Sequence, residues 1–563
     1  MKILSVYPYT HISSAALVVN GRIVAAAPEE RFNREKLSTK FPFESAKWCL
    51  EKNNIKWDEL DCIAVPWNPA ENLNDVSNRW IGEMRWRGEM IPNVVGSLLR
   101  AINGKPPNEM DLRFGKTRLL FLNHHDCHSA NGFYQSPFIN ADILNIDGHG
   151  ENETTVFSKG TGSLIKKLHS IKYPHSLGLL YGTFTDFLGF KPDSDEWKVM
   201  ALSSFSKKIN KYDNKLEKLF SLSNDGFELN LSYFNYFLFD RQKHFFSEKF
   251  LKLFGNPRTK DTELKTHHYE VAGALQRGFK KIADHLIRIL KSISGEENLV
   301  LSGGAALNCV YNGTISNKIP YKNSFISANP DDSGVSIGAA LLAYSKLTKR
   351  RKTINIHHNY YGPEYSNSEI VNLLKNLKIR YSQPKNLHKF VAKQIASKKL
   401  VGWFQGKMEF GHRALGNRSI LADPRLIEMK DIINQAVKYR EHFRPFAPVV
   451  YFQEAHKIFN IKKYKYIRFM ERAVKVNKDW AKKLPAITHI DGTARVQTVS
   501  ERENKTLCIL LKEFKKISGV PVLLNTSFNL NGEPIVMSPR NAIRTFFSCG
   551  LDLLVLGKYV VQK

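Results

Sequence analysis

The pattern that most constrains this chain is one that occurs twice. Residues 3–30, ILSVYPYTHISSAALVVNGRIVAAAPEE, alternate apolar runs of strand length around Asn20-Gly21, the commonest dipeptide for closing a two-residue hairpin. Residues 141–168, ADILNIDGHGENETTVFSKGTGSLIKKL, return to the same grammar with a strand, a glycine-broken polar loop, a strand, a glycine turn and a strand. Residues 298–308, NLVLSGGAALN, then bring another strand into a glycine turn and a helix. Such a chain predicts an α/β architecture with an internal duplication.

Duplicated hairpins with acidic or glycine turns point to an actin-like, sugar-kinase-like nucleotide fold for the N-terminal half. At 563 residues the chain has room for two to four domains with substantial cores. Residues 345–369, SKLTKRRKTINIHHNYYGPEYSNSE, lose hydrophobic periodicity and gain charge, Asn and a Gly-Pro turn, so the border falls there. The expected division is 1–350, a linker over 351–384, and 385–563. The six cysteines, Cys49, Cys62, Cys127, Cys309, Cys508 and Cys549, contain no CxxC pair, which speaks against a zinc ribbon or a disulfide framework and for a reducing cytoplasm. No run approaches ~18 uninterrupted apolar residues, so no membrane insertion is expected. The net charge of +30 admits nucleic acid, an anionic surface or an acidic substrate, but it also fits a Lys-rich genomic bias. The basic runs 207–220 and 346–352 lack interleaved aromatics, so nucleic acid is not expected as a partner.

Chemistry in the N-terminal half centres on NHHDCHSANGFY (123–134). His124 and His128, four residues apart, share one face of a helix, as two imidazoles must to bind one metal, and His125 points elsewhere. Asp147 ends the strand ILNID, and Asp332 lies in ANPDDSGVSIGAA (328–340), a loop leading into an apolar helix. Two imidazoles and two carboxylates suit Fe(II), Mn or Zn and argue against Mg alone; the alternative is that both aspartates are helix caps. Gly303 and Gly304 allow close backbone approach to a nucleotide, with a helix N-terminus behind them. His11, in a hairpin turn, and Lys36, after the charged run EERFNREK (29–36), read as a base and an anion binder or as surface residues.

The C-terminal half carries a different signal. Residues 402–448 gather Lys407, Arg413, Arg418, Arg425, Lys438, Arg440 and Arg444 among Gly406, Gly411 and Gly416, which reads as an anion cradle. VPVLLNTSFNLNGEP (520–534) is an apolar strand entering a polar turn, with Asn525 and Ser527 expected at its tips.

Taken in order, EERFNREK, HHDCH, IDGHGE, SLGLLYGTFTDFLGF, SGGAALN, GKMEFGHRALGNRSILADPR, KYREHFRPFAP, DGTARVQTV and LLNTSFNLNGEP resemble the O-carbamoyltransferase family of nodulation and antibiotic-tailoring enzymes, over essentially the whole chain. That resemblance implies an N-terminal domain like the universal tRNA threonylcarbamoyltransferase, with a duplicated actin-like fold. It implies a C-terminal YrdC-like domain, a twisted α/β sheet like that of threonylcarbamoyl-adenylate synthase. Carbamoyl phosphate and ATP would form carbamoyl adenylate in the C-terminal domain, and the N-terminal domain would pass the carbamoyl group to an acceptor hydroxyl on a sugar, glycan or natural product. Motif by motif, Arg413, Lys438, Arg444, Asn525 and Ser527 would hold carbamoyl phosphate and ATP, with Mg as a companion of ATP. His124, His128, Asp147 and Asp332 would hold iron, polarising the carbamoyl carbonyl. Gly303, Gly304 and Asn308 would line the adenosine, with His11 as general base and Lys36 on the phosphate side.

Two departures from the family pattern stand near these motifs: Trp197 and Ser203-Ser204 in DSDEWKVMALSS (193–204), where Gly and Ala-Pro are usual, and His412 in place of Pro. Competing readings are a tRNA threonylcarbamoyl enzyme, a hydrogenase-maturation carbamoyltransferase, whose zinc fingers this chain lacks, and a catalytically inactive nucleotide-binding protein. A homodimer is the default assembly.

Overall fold

The computed structural model describes residues 1–8, 12–68, 110–206, 208–315, 320–351, 358–439, 441, 443–461 and 467–563. Its contacts divide the chain into two compact units, one of Met1–Val24, Phe41–Tyr311 and Ile315–Asn355, the other of Ala25–Lys40, Asn312–Thr314 and Ile356–Lys563.

In the N-terminal unit the duplication is visible as two sheets of the same strand order. The first contains β1 (Lys2–Tyr7), β2 (Ser14–Val19), β3 (Arg22–Pro28), β4 (Cys62–Val65), β5 (Met110–Phe114) and β6 (Thr117–Phe121), ordered β3-β2-β1-β4-β6-β5. The second contains β7 (Asn140–Ile146), β8 (Glu153–Thr161), β9 (Leu164–Lys172), β12 (Asn298–Ser302) and β13 (Asn323–Ile326), ordered β9-β8-β7-β12-β13, while β10 (Phe220–Ser223) and β11 (Gly226–Leu229) form a separate hairpin. Each sheet thus starts with an antiparallel meander whose first strand pairs in parallel with a later one, β1 with β4 and β7 with β12. Asn20 and Gly21 close the first hairpin with φ of 48° and 74°, the left-handed pair that a type I′ turn demands.

Helices α1 (His124–Gln135) and α2 (Leu177–Phe187) are followed by α3 (Glu196–Ser203), the long α4 (Thr266–Ser294) and α5 (Val335–Thr348). α1 packs on β7 and β12, α5 packs on β1, β2 and β4, and the two helices lie against each other. The order is therefore sheet, helix, helix, sheet. Gly338 permits the helix pair to close, since a Cβ there would stand 1.9 Å from the Cys127 carbonyl oxygen.

The C-terminal unit is built on β14 (Val401–Phe404), β15 (Arg418–Ala422), β16 (Ala447–Tyr451), β19 (Gln497–Val499), β20 (Val522–Ser527), β21 (Leu553–Leu556) and β22 (Tyr559–Gln562), ordered β19-β16-β20-β15-β14-β21-β22, with β17 (Ala473–Lys475) and β18 (Thr493–Arg495) as a satellite ribbon. Strands β14, β15 and β21 are buried at every residue, so helices cover both faces of this mixed sheet. Those helices include α6 (Asn367–Asn376), α7 (Leu387–Ala396), α8 (Glu501–Ser518) and α9 (Pro539–Phe547). The linker expected over 351–384 needs correction here, because α6 starts from a Ser366/Glu369 capping box and sinks Ile370 and Leu374 into the C-terminal core. Its apolar residues recur at i and i+4, a stripe hidden among Asn, Ser and Lys.

All six cysteines are buried and none forms a disulfide. Among the described residues no helix is long and apolar enough to cross a membrane.

Candidate metal centre and anion site

The first strands of the two sheets, β1 and β7, end at Tyr7 and Ile146, with Asp147 next in chain. α1 begins at His124, and Asp332 opens the short turn before α5. Tyr7 thus closes one first strand and Asp147 follows the other, His124 and Asp332 stand at the approaches to the two central helices, and the fold brings all four to one place. His128 joins from one turn further along α1.

The geometry is that of four lone pairs aimed at one point. His128 Nε2 is 3.0 Å from His124 Nε2, 3.0 Å from Asp147 Oδ2 and 3.3 Å from Asp332 Oδ1. His124 Nε2 is 3.4 Å from Asp147 Oδ2 and 3.5 Å from Asp332 Oδ1. The other atom of each side chain is tied elsewhere. His124 Nδ1 lies 3.3 Å from the Pro66 carbonyl and His128 Nδ1 lies 3.0 Å from the Pro330 carbonyl, so each Nδ1 carries a hydrogen and Nε2 is the nitrogen left to offer a lone pair to an ion. The Gly304 N–H donates to Asp147 Oδ1 at 2.9 Å, and the Tyr7 hydroxyl donates to Asp332 Oδ2 at 2.9 Å.

The set fits a divalent cation. Ligand atoms about 2.1 Å from a common ion stand about 3.0–3.4 Å from their neighbours, close to the separations found here. Asp147 Oδ2 is buried and makes no hydrogen bond, which is costly for a carboxylate unless a cation meets it. Burial alone would lower the pKa of both imidazoles, but Asp147 and Asp332 outweigh it and raise them, His124 well above its usual value. Burial would likewise raise Asp147 and Asp332, yet the imidazoles hold both carboxyls below their ordinary range. Neither aspartate is a helix cap, since Asp331 caps the turn that Asp332 opens and Asp147 leads from β7 to β8 with no helix between.

His125 is 1% exposed with both ring nitrogens unpartnered, and it packs beneath Gly150, where a Cβ would come 2.4 Å from Nδ1. Burial first, and then the neighbouring His124, push its pKa well down, so the ring is neutral. Glu151, for which the motif IDGHGE suggested no role, accepts from the His124 backbone N–H at 2.9 Å and from the Asn68 N–H at 2.8 Å, binding the loop of Asp147 to the start of α1.

Gly303 and Gly304 are also tied into the fold itself. The Gly303 φ of 85° and the Ile146 carbonyl, 2.2 Å from any added Cβ, explain the glycine, but the Gly304 N–H is spent on Asp147 and the following helix is a single 3₁₀ turn, Gly304–Leu307. The Asn308 amide exchanges hydrogen bonds with Gln276 and accepts from the Tyr311 N–H. His11 lies outside the described residues. Lys36 is exposed, on the segment Ala25–Lys40 whose contacts belong to the C-terminal unit. There Arg34 donates to the Pro534 and Ile535 carbonyls, both at 2.7 Å, and Arg31 donates to the Gly411 carbonyl.

In the C-terminal unit Asn525 and Ser527 are strand residues of β20 on one face, not turn tips, because β20 continues to Ser527 in register with β15. Lys438, 4% exposed at the end of a π-helical turn, reaches Ser527 O at 2.6 Å, Asn529 Oδ1 at 2.7 Å and Asn529 O at 2.9 Å. Asn525 donates to the Gln497 amide oxygen at 2.8 Å and the Ala414 carbonyl at 3.2 Å. Arg413 donates to the Phe469 carbonyl at 2.8 Å, and Phe469 and Gln497 line one small pocket with Leu415, Arg468, Thr498 and Glu503. Arg444 pairs with Glu441 at 3.2 Å. The broad cradle is narrower than its sequence suggests. Arg418 is fully buried, its fork shared among the Gln405, Asn417, Pro363 and Gly406 carbonyls with Phe404 stacked 3.7 Å away, and Arg425 pairs with Asp423 at 2.6 Å. Arg440 lies outside the described residues. The Trp197 indole N–H donates to Ser194 O at 3.0 Å, within its own turn.

Comparison with known proteins agrees with both halves. Residues 2–341 match the family described as Carbamoyltransferase N-terminus, and 392–563 match Carbamoyltransferase C-terminus. An uncharacterized protein of Synechocystis sp. is 35% identical over 100% of this chain and 96% of its own. The nodulation protein NolNO of Sinorhizobium fredii is 34% identical over 99% of this chain and 79% of its own, and NolO of Bradyrhizobium diazoefficiens is 35% identical over 78% of this chain and 79% of its own.

Proposed function

The chain belongs to the carbamoyltransferase family, and on that premise we propose that it is an ATP-dependent O-carbamoyltransferase that works in two steps. The C-terminal unit, YrdC-like in this reading, makes carbamoyl adenylate. Water cleaves carbamoyl phosphate to carbamate and phosphate; a carbamate oxygen attacks the α-phosphorus of ATP and pyrophosphate leaves. Lys438, Arg413 and Arg444 supply the positive charge that offsets repulsion between two polyanions, while Asn525 and Ser527 on one face of β20 orient the carbamoyl end. Mg accompanies ATP.

In the N-terminal unit, actin-like in this reading, an acceptor hydroxyl attacks the carbamoyl carbon and AMP departs. His124, His128, Asp147 and Asp332 would hold Fe(II), which would supply Lewis acidity toward the carbamoyl carbonyl. The Pro66 and Pro330 carbonyls keep both imidazoles in the tautomer that presents Nε2, and the Gly304 N–H and Tyr7 hydroxyl hold one oxygen of each carboxylate. His11 takes the acceptor proton, and Gly303, Gly304 and Asn308 line the adenosine. The acceptor is a hydroxyl of a small molecule or glycan.

The observation that carries this reading is the buried N₂O₂ group, whose outer atoms are all tied to the protein. Two variants test the division of labour. Arg413→Ala loses pyrophosphate release, whereas His128→Ala retains it and fails to carbamoylate an acceptor. Equal loss of pyrophosphate release in both, with both folded, contradicts the scheme.

A further inference from the structure

We infer that Tyr7 is a positioning residue that makes Asp332 a one-oxygen ligand, an inference that rests on reading His124, His128, Asp147 and Asp332 as a metal site. Tyr7 is the last residue of β1 and is 1% exposed. Its hydroxyl donates to Asp332 Oδ2 at 2.9 Å, which leaves Oδ1 toward the two imidazoles at 3.3 and 3.5 Å. Its ring stacks on His124 with centroids 5.6 Å apart and planes 26° from parallel, so the phenol is held from both ends.

Asp332 needs such a tether more than Asp147 does. Its side chain is 22% exposed against 8% for Asp147, and it stands in a turn rather than directly after a central strand. An untethered carboxylate can rotate and chelate through both oxygens. The tethered one occupies a single coordination position, leaving a place where a carbonyl oxygen can bind. Asp147 receives the same treatment from the Gly304 N–H. Tyr7 closes β1 and Asp147 directly follows β7, so the first strand of one sheet delivers a tether and the first strand of the other a ligand.

The test is ion binding by the purified full chain, read without turnover. Tyr7→Phe keeps the stacked ring and removes one oxygen. Zn(II) dissociation constants come from competition with a chelator, and Co(II) reports coordination number through the intensity of its visible bands. The expected result for Tyr7→Phe is a 10–100-fold weaker Zn(II) affinity, on the order of other lost tethers of metal ligands. Its Co(II) bands should weaken as Asp332 turns to bind through two oxygens. Thr185→Ala removes a buried hydroxyl that bonds the Tyr181 carbonyl within α2 instead and should stay within about twofold of wild type. In an Asp332→Ala background, Tyr7→Phe should add less than about twofold, which a general packing role would not produce. Wild-type affinity and spectrum in Tyr7→Phe, or the same loss with Asp332 already removed, overturns the role of Tyr7. A wild-type protein that binds neither ion overturns the metal reading and the tether with it.

Discussion

The Gly338 position allows the metal centre to be tested at a distance. A Cβ there meets the Cys127 carbonyl oxygen at 1.9 Å and the Asn131 Cβ at 2.9 Å, whereas ordinary contact begins at 3.4 Å. The clashing atom is backbone and cannot swing aside, so in Gly338→Ala α1 and α5 must part by about 1.5 Å, the shortfall between those two distances. α1 carries His124 and His128, and Asp332 leads into α5. The 3.3 and 3.5 Å gaps between Asp332 and the imidazoles therefore widen by a comparable amount. Functional constellations tolerate about 0.5 Å of misplacement, so a fall of about tenfold or more in Zn(II) affinity is expected. Stability should change less. Overpacking costs roughly 1–3 kcal/mol, and the better helix propensity of Ala returns about 1 kcal/mol. Melting of the metal-free protein and a chelator-competition titration measure the two effects separately. A Gly338→Ala protein that melts lower but binds Zn(II) within about twofold of wild type would show that helix spacing does not set the site.

Three further outcomes are expected. Glu151→Ala leaves the His124 N–H without its acceptor and should cost about 1–3 kcal/mol in thermal melts, with Glu151→Gln losing less; equal melting of Ala and wild type contradicts the clamp. Because the two aspartates raise both imidazole pKa values, the metal-free site holds its protons to higher pH and an incoming ion must displace them. Zn(II) affinity should therefore climb as pH rises through the raised values and then level, and a flat profile between about pH 6 and 9 contradicts this. Arg418→Lys cannot satisfy the carbonyls that the planar fork reaches and should lower the melting temperature while leaving the KM for carbamoyl phosphate unchanged; a raised KM would return Arg418 to the anion site.

What could be read from the sequence follows the range of the interactions involved. The Asn20-Gly21 hairpin, the strand–loop–strand of 141–168 and the His124/His128 helix face are local patterns, and each is found as a local structure. Asp147 and Asp332 could be chosen because each ends an apolar run at a loop. Tyr7 could not, since nothing in KILSVY separates it from any core tyrosine until β1 and α5 are brought together. The tether from Glu151 to His124 crosses 27 positions in sequence and appears only once the β7–β8 loop folds over α1. Arg418 looked like a phosphate ligand because composition counts charges without showing that glycine-bent loops turn their carbonyls inward. Asn525 looks like a turn residue in sequence because Asn and Ser weaken a strand signal that β15 and β16 restore by pairing on either side. α6 looks like linker because its two core residues are set among polar ones.

Pyrophosphate release from ATP by the purified protein tests the central claim most directly, with carbamoyl phosphate, with bicarbonate plus threonine, and with neither added. The account predicts release that depends on carbamoyl phosphate alone. Release that depends instead on bicarbonate and threonine would contradict it and move the chain to tRNA modification, and silence under all three conditions from folded, metal-loaded protein would contradict adenylate formation altogether.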